Sequence, residues 1–121
     1  MKLGESAEDY LESILILSKE LEYVRAIDIC SYFGYARATV SVFLKQLKSN
    51  DYVEIDDHNH ITLTAAGEEI ANRIYERHRF LTKFFVSIGV PEAIAATDAC
   101  KVEHQVSNET FSALKEHFKD I

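Results

Sequence analysis

Apolar residues recur at intervals of three and four in both halves of the chain. In residues 7–20, Tyr10, Ile14 and Leu17 follow this spacing, and apolar neighbours widen the same face. This pattern predicts an amphipathic helix. Ser6 precedes it, and its hydroxyl is a suitable N-cap.

The second half of the chain predicts three more helices. Residues 65–87 carry one apolar stripe and predict a long helix, which Gly89 and Pro91 break. Residues 92–105 predict another helix. Ser107 is a suitable N-cap for a last helix that runs to about Phe118.

Between these segments the pattern predicts a helix-turn-helix and a hairpin. The short helices 26–33 and 37–49 flank Gly34, which can adopt positive φ at a tight turn. Two β-prone stretches, 52–55 and 60–64, enclose an Asp/Asn turn and predict a hairpin. A hairpin directly after a helix-turn-helix is a wing.

The predicted fold class is therefore mainly α. We expect a winged helix-turn-helix DNA-binding domain at 1–71 and a helical metal-binding and dimerisation domain at 72–121. The second part is too small for a generous core of its own, and helix-turn-helix proteins usually read paired half-sites. A homodimer is expected, with the apolar residues of the second part at the dimer interface. Packing of the same residues on the winged domain is an open alternative. These residues are Phe84, Phe85, Ile88, Ile94, Phe111, Leu114 and Phe118.

The net charge and the charge distribution lead to different expectations about nucleic-acid binding. The chain carries 13 basic and 20 acidic residues, a net charge of −7, which taken alone argues against nucleic acid as a partner. Residues 25–48, however, hold four basic side chains and one acidic, a net charge of +3. A basic island inside a helix-turn-helix indicates binding of double-stranded DNA, and a merely solvated face is the weaker interpretation.

The second helix of the motif would read the major groove. Arg37 near its start can pair with guanine O6 and N7, and Thr39 and Ser41 can contact bases or phosphates. Three other long basic side chains would neutralise phosphates. These are Arg25, Lys45 and Lys48. The wing tip is acidic and rich in histidine, so we expect little attraction from it, except through His58 or His60. Both are expected at the surface, as is His117.

Composition also bears on the compartment. The sequence has no apolar run long enough for a membrane span and opens on no signal peptide. Its two cysteines do not make a disulfide scaffold, so a cytoplasmic protein with reduced thiols is expected. Cys30 is expected to be a buried small residue.

Metal-preferring side chains occur in three places. The last third carries Cys-x-x-Glu-His, the first helix carries two carboxylates three residues apart, and the long helix carries a histidine. Residues three and four apart on a helix share one face, so each group can aim its donors at one point. A thiolate, imidazoles and carboxylates converging there make a transition-metal site. The six candidate ligands are Asp9, Glu12, His78, Cys100, Glu103 and His104.

Four motifs resemble the diphtheria toxin repressor and manganese transport regulator family. They are Glu8-Asp9-Tyr10-Leu11-Glu12, Leu63-Thr64-x-x-Gly67, Arg77-His78-Arg79 and Cys100-x-x-Glu103-His104. The resemblance covers nearly the whole chain in order and spacing. It implies a dimeric, metal-activated transcription factor with a winged helix-turn-helix and a helical dimerisation domain. Some members carry an SH3-like domain, for which this sequence leaves no room.

The resemblance implies a hybrid metal site. Five of the candidate ligands fall on ligands of the manganese regulators: Asp9, Glu12, His78, Glu103 and His104. Cys100 departs from that branch and matches the iron-responsive one, which in turn has methionine at the position of Asp9. The expected cofactor is therefore Fe²⁺ or Mn²⁺, with Co²⁺ or Zn²⁺ binding in vitro. One or two metals per subunit are both compatible with the sequence.

The expected function is a metal-dependent DNA-binding transcriptional regulator, and the family expectation is repression of iron or manganese uptake. A metal bridging the first helix and the dimerisation domain would act as the switch. An enzyme is not expected, since the sequence has neither a nucleophile motif nor a Gly-rich phosphate loop. A winged-helix protein with a non-metal signal or a protein-interaction role is the alternative.

Overall fold

The computed structural model describes residues 4–119. Within them it contains six helices and one two-stranded sheet, so the predicted mainly α fold with a winged helix-turn-helix is confirmed. The chain divides into two compact units, residues 1–72 and 73–121. Among the described residues, no helix combines the length and apolar character that crossing a membrane requires.

The first unit holds the winged helix-turn-helix. Its hairpin is antiparallel, with Val53 opposite Leu63 and Ile55 opposite Ile61. Its elements are α1 (Glu5–Glu20), α2 (Ala26–Phe33), α3 (Arg37–Ser49), β1 (Val53–Ile55), β2 (Ile61–Leu63) and the start of α4 (Ala65–Ser87).

The expected Ser6 cap is wrong. Helix α1 begins at Glu5, and the extended residue before it is Gly4, so Ser6 lies inside the first turn. Glycine is acceptable at an N-cap, and Glu5 and Glu8 in the first turn interact favourably with the helix dipole. The start of α1 is therefore stabilised by charge and not by a hydroxyl cap.

Apolar residues from every element form the core of the first unit. Leu11, Ile29 and Leu47 are fully buried, as are Val40 and Val53. Gly34 ends α2 at φ 75°, the left-handed conformation predicted for the tight turn. The predicted bounds of α2, α3 and α4 are confirmed, and Cys30 is buried as expected.

An aromatic cluster on α1 supports the helix-turn-helix. The ring of Tyr10 stacks on Phe33 at 5.4 Å, on Tyr35 at 6.2 Å and on Phe43 at 4.4 Å. Burial raises the pKa of the Tyr10 hydroxyl above 10.0, and Tyr35 and Cys30 raise it further. Residues of α2, the turn and α3 thus pack on one side chain of α1, which fixes the direction of α3.

The second unit contains the rest of α4 with α5 (Glu92–Val102) and α6 (Asn108–His117). Ser107 caps α6 as predicted, because its Oγ accepts a hydrogen bond from Thr110 N. Phe80 packs edge-on against Phe111 at 5.5 Å.

Helix α5 ends at Val102, three residues before the predicted end at 105. The following carbonyl groups of Glu103 and Val106 accept hydrogen bonds from the Arg77 guanidinium. A contact with another helix therefore ends α5, and the apolar pattern of α5 alone does not show it.

Candidate metal centre and nucleic-acid interface

Glu103 is the centre of the metal-donor residues in the second unit. Its side chain is fully buried, with one carboxylate oxygen 2.9 Å from His78 Nδ1 and the other 3.4 Å from His104 Nε2. A buried carboxylate is costly unless it is paired or coordinates a metal. The two histidines supply that pairing.

Cys100 joins Glu103 on the side of His104, whereas His78 meets Glu103 in a second group that does not include Cys100. Cys100 lies in the last turn of α5, and its Sγ, a carboxylate oxygen of Glu103 and a ring nitrogen of His104 all lie within 4.8 Å of one another. Glu103 and His104 lie beyond the end of α5, but Glu103 keeps helical dihedrals, with φ −57° and ψ −28°. The predicted i, i+3, i+4 convergence therefore survives the early end of the helix. We call His78, Cys100, Glu103 and His104 the donor cluster.

The donor cluster fits a first-row transition metal. Nitrogen and oxygen ligands lie about 2.0–2.2 Å from such an ion and thiolates about 2.3 Å, so ligands of one ion are close neighbours. The donor atoms of Cys100, Glu103 and His104 are such neighbours, and so are those of His78 and Glu103. The Oε1 atom of Glu103 is buried, and its contact with His104 Nε2 at 3.4 Å is an ion-pair distance and not a hydrogen bond. A thiol, two imidazoles and a carboxylate are also a donor set that selects transition metals over Ca²⁺ or Mg²⁺.

Arg77 holds the donor cluster in place, a role not predicted from the sequence. Its buried guanidinium donates to Glu103 O at 3.0 Å and to Val106 O at 2.6 Å, and also hydrogen-bonds Asn108 Oδ1. It lies over the ring of Phe111 at 5.3 Å. One signal was available: an arginine stands in the buried stripe of α4, four residues before Leu81.

The other two candidate ligands belong to the first unit. Asp9 and Glu12 lie three residues apart on α1; Asp9 is partly buried, and Glu12 is only 8% exposed. A carboxylate on a buried helix position is unusual, since Glu is almost never buried unless paired. Four of the six candidates are thus gathered in the second unit, and the acidic pair lies on α1.

Four of the six predicted DNA-binding residues line one groove of the first unit. Arg25, Arg37, Ser41 and Lys45 line this groove, which lies between α2, α3 and the hairpin. Thr39 and Lys48 are also exposed on α3 but do not line this groove. The wing contributes four residues to its wall: Ile55 and Ile61 from the strands, and His58 and Asn59 from the turn.

The wing turn is organised by one carboxylate. Asp56 Oδ1 accepts hydrogen bonds from His58 N at 2.8 Å and from His60 N at 2.9 Å. The backbone hydrogen bond from His60 is the main cause that lowers the pKa of the Asp56 carboxyl below 3.8, with His58 adding to it. Asn59 takes the left-handed conformation, φ 61°, which asparagine tolerates well.

His60 is not the surface residue that we expected. Its side chain is only 14% exposed, and its ring stacks on Tyr23 with centroids 4.0 Å apart. His60 Nε2 lies 3.1 Å from Arg25 Nη2. Sequence spacing cannot show this contact, because Arg25 and His60 are 35 residues apart. His58 and His117 are exposed as expected.

Comparison with known proteins assigns both halves of the chain. Residues 2–61 match the N-terminal DNA binding domain of the iron dependent repressors. Residues 64–121 match the iron dependent repressor metal binding and dimerisation domain. The donor cluster and Arg77 fall in the second of these domains, and the groove falls in the first.

Individual relatives agree with this assignment. The transcriptional regulator MntR of Escherichia coli O6:H1 is 35% identical over 111 residues, which cover 92% of this chain and 72% of that protein. The manganese regulator SloR is 26% identical, with a TM-score of 0.83 over 93% of this chain and 53% of its own. A manganese-dependent transcriptional repressor, solved in complex with manganese, is 26% identical, with a TM-score of 0.82 over 92% and 51%.

The chain belongs to the diphtheria toxin repressor and manganese transport regulator family of metal-dependent transcriptional regulators. It spans about half the length of the two solved structures. Members of the family are transcriptional regulators and not enzymes, as the sequence predicted.

Proposed function

We propose that the protein is a homodimeric repressor of iron or manganese uptake genes, switched on in the cytoplasm by a divalent metal. The observation that carries this proposal is the donor cluster, in which a buried glutamate is paired with two histidines beside a cysteine. It lies in the domain that the family uses for metal binding and dimerisation.

The activating ion is Fe²⁺ or Mn²⁺, and Cys100 decides between them. Two of the relatives are described as manganese regulators, and carboxylate and imidazole donors suit that ion. A thiolate shifts preference towards softer ions, first Fe²⁺ and then Co²⁺ or Zn²⁺. Cys100 is therefore the one side chain that distinguishes this donor set from a set made only of carboxylates and imidazoles.

Asp9 and Glu12 complete the ligand set and connect the switch to DNA binding. This role follows from the resemblance and from the chemistry of the pair, two carboxylates three residues apart on α1. A bound divalent ion supplies the positive charge that offsets the repulsion among these carboxylates and Glu103. Moving a population from mostly inactive to mostly active requires about 5 kcal/mol of differential binding, which charged ligands drawn from two domains can provide.

Helix α1 transmits the effect of metal binding to α3, the helix that reads the major groove. Tyr10 lies between Asp9 and Glu12 in sequence, and its ring packs against Phe43 of α3 at 4.4 Å. A constraint on the acidic pair is therefore a constraint on a residue that touches the reading helix. Two reading helices held at a fixed separation match paired half-sites on an operator.

The residues predicted from the sequence to contact DNA, on α3 and at the N-cap of α2, bind the operator. Arg37 at the start of α3 is placed to read guanine, and Thr39 and Ser41 contact bases or phosphates. Phosphate contacts come from the long basic side chains Arg25, Lys45 and Lys48. All of these are exposed or partly exposed.

The test is DNA binding by the metal-free protein, titrated with Mn²⁺, anaerobic Fe²⁺, Co²⁺ and Zn²⁺ in turn. The probe is a duplex selected from a randomised library with each metal present. Glu103→Gln removes the charge at the centre of the donor cluster and should weaken metal-dependent binding by about 10–100-fold. Glu116→Gln, at a side chain that is 82% exposed, is the matched control and should behave as wild type.

Two results would contradict the proposal. DNA affinity that is the same with every metal and with none would leave a winged-helix DNA-binding protein that answers another signal. A Glu103→Gln variant that keeps the wild-type metal response would show that the donor cluster is structural.

A further inference from the structure

Three side chains of the first unit form a chain of polar contacts that leads from the wing turn to the DNA-binding groove. Asp56 Oδ2 lies 3.2 Å from His60 Nδ1, and His60 Nε2 lies 3.1 Å from Arg25 Nη2. The imidazole therefore stands between a carboxylate and a guanidinium, with one ring nitrogen facing each.

The partners define the tautomer of His60. A carboxylate accepts only, and a guanidinium donates only. Nε2 must then be the lone-pair acceptor for Arg25, which leaves the proton on Nδ1, the nitrogen that faces the Asp56 carboxylate. The neutral ring is held further by Tyr23, whose ring is nearly parallel to it, at 8°.

Arg25 is also fixed at its backbone. Its N–H donates to Asp28 Oδ2 at 2.8 Å at the start of α2. Its side chain is otherwise exposed and lines the groove together with Arg37 and Lys45. A free arginine loses much rotamer freedom when it binds a phosphate, and holding it in the bound conformation beforehand reduces that loss. His60 takes one of the five N–H donors, so the remaining donors are available for a phosphate.

We propose that Asp56 and His60 are positioning residues that hold the Arg25 guanidinium for a phosphate of the DNA backbone. On this view the acidic, histidine-rich wing strengthens DNA binding without carrying positive charge at its tip. The inference rests on the proposed function for the role of Arg25 and adds two residues to which that proposal gives no part.

Asp56→Asn is the decisive variant. Its amide oxygen can still accept from the backbone N–H groups of His58 and His60, so the turn is preserved. Its NH₂ group is a donor without negative charge and cannot favour a proton on His60 Nδ1 as the carboxylate does, so the link to Arg25 is broken. Asp57→Asn is the matched control, because it removes the same charge from the neighbouring exposed residue of the same turn.

The two variants should change DNA affinity in opposite directions. Removing a negative charge near DNA raises affinity, and this is the whole effect expected of Asp57→Asn. Asp56→Asn should lower affinity instead, by about three- to tenfold, since Arg25 loses a charge-assisted contact. Arg25→Gln should lower affinity by about tenfold and reduce the salt-dependence slope by about one. The double variant Asp56→Asn/Arg25→Gln should bind DNA no more weakly than Arg25→Gln alone, because the two changes remove the same contact.

The measurements are fluorescence anisotropy with the selected duplex across about 50–200 mM salt, and ¹⁵N NMR of the His60 ring in the free protein. The NMR spectrum should show the Nδ1–H tautomer in wild type and its loss in Asp56→Asn, with unchanged amide shifts for the turn.

The alternatives give distinct results. If Asp56→Asn raises affinity as Asp57→Asn does, the positioning role is overturned. If Arg25→Gln leaves affinity and salt slope unchanged while wild type binds the duplex, the inference fails and the proposed function stands. If wild type selects no duplex with any metal, both fail.

Discussion

The Arg77 guanidinium donates a hydrogen bond to the backbone carbonyl oxygen of Glu103 at 3.0 Å. The next residue along α4, His78, contacts the carboxylate of the same glutamate at 2.9 Å. Two consecutive residues of one helix therefore hold Glu103, one by its main chain and the other by its side chain. This arrangement sets the position of the central donor before any metal binds, which reduces the ordering that binding requires.

Arg77→Lys should destabilise the protein and weaken metal binding together. An ammonium group cannot reproduce the fork of donors that contacts Glu103, Val106 and Asn108. Leaving buried carbonyl groups without donors costs about 2–3 kcal/mol, and a displaced Glu103 should lower metal affinity by about 10–100-fold. Thermal unfolding and metal titration measure the two effects.

The neighbouring exposed arginine on α4 is the control for that experiment. Arg79→Lys changes a side chain that lies over Tyr75 at 5.7 Å and should change both quantities little. Equal behaviour of the Arg77 and Arg79 variants would show that the Arg77 hydrogen bonds do not position Glu103.

Cys100→Ser should remove a sulfur ligand and leave the fold unchanged, because Cys100 is exposed. With Co²⁺ added, wild type should show thiolate-to-cobalt charge transfer in the near ultraviolet, and the variant should lack it. Cys100→Glu should move the preference in DNA-binding titrations towards Mn²⁺, since a carboxylate replaces a soft donor.

The second cysteine separates ligand loss from loss of any thiol. Cys30 is buried in the first unit, so Cys30→Ala should keep the cobalt band. A band that persists in Cys100→Ser and disappears in Cys30→Ala would contradict the assignment of the sulfur ligand.

Several elements of the fold follow from local sequence patterns. Apolar periodicity predicts α2, α3 and α4 with their observed bounds, and Gly34 predicts the turn because only glycine adopts positive φ at no steric cost. The end of α5 could not be predicted in this way, since the carbonyl group of Glu103, the residue that follows it, accepts from Arg77, 26 residues earlier. Contacts between elements decide such boundaries, and no local pattern carries them.

The donor cluster also combines a part that local spacing predicts with a part that depends on contacts between elements. The spacing of Cys100, Glu103 and His104 predicts their convergence, because it is local and nearly helical. The pairing of Glu103 with His78 joins α4 to the residue that follows α5. The sequence offers His78 as a metal-preferring residue, and the resemblance to a family supports it as a ligand, but neither shows this contact. His60 was placed at the surface for the same reason: its partners Tyr23 and Arg25 are far away in sequence.

The wing turn should lose order in acid. The folded state lowers the pKa of Asp56 below 3.8, so ionised Asp56 favours the folded turn. That contribution is complete above the unfolded pKa, near 3.8, and disappears as pH falls through the lower folded value. The amide signals of His58 and His60, followed by NMR below pH 4, should shift together with the Asp56 carboxyl carbon.

Asp56→Asn is the control for this titration, because an amide has no proton to gain in that range. Its two amide signals should stay constant where those of wild type move. Signals that move equally in both proteins would assign the transition to another group.

Gly67→Ala should destabilise the first unit although alanine is the better helix former. Gly67 lies in α4, and a Cβ there would stand 2.0 Å from Tyr52 O and 3.0 Å from Tyr52 C. These are backbone atoms, so no side-chain rotation can relieve the overlap. The start of α4 would have to move away, which threatens the hydrogen bond from Thr64 N to Tyr52 O at 3.1 Å. Thr64 Oγ1 also accepts from Gly67 N and donates to Asp51 O, so the whole connection between wing and helix is affected.

The expected cost of Gly67→Ala is about 3 kcal/mol from overpacking, which exceeds the gain of about 1 kcal/mol from helix propensity. Urea unfolding measures the difference. Gly4→Ala is the comparison, since an added Cβ there meets nothing within 4 Å, and it should change stability by less than about 1 kcal/mol. A Gly67→Ala protein at least as stable as wild type would mean that helix propensity, and not the close approach of Tyr52, determines stability at this position.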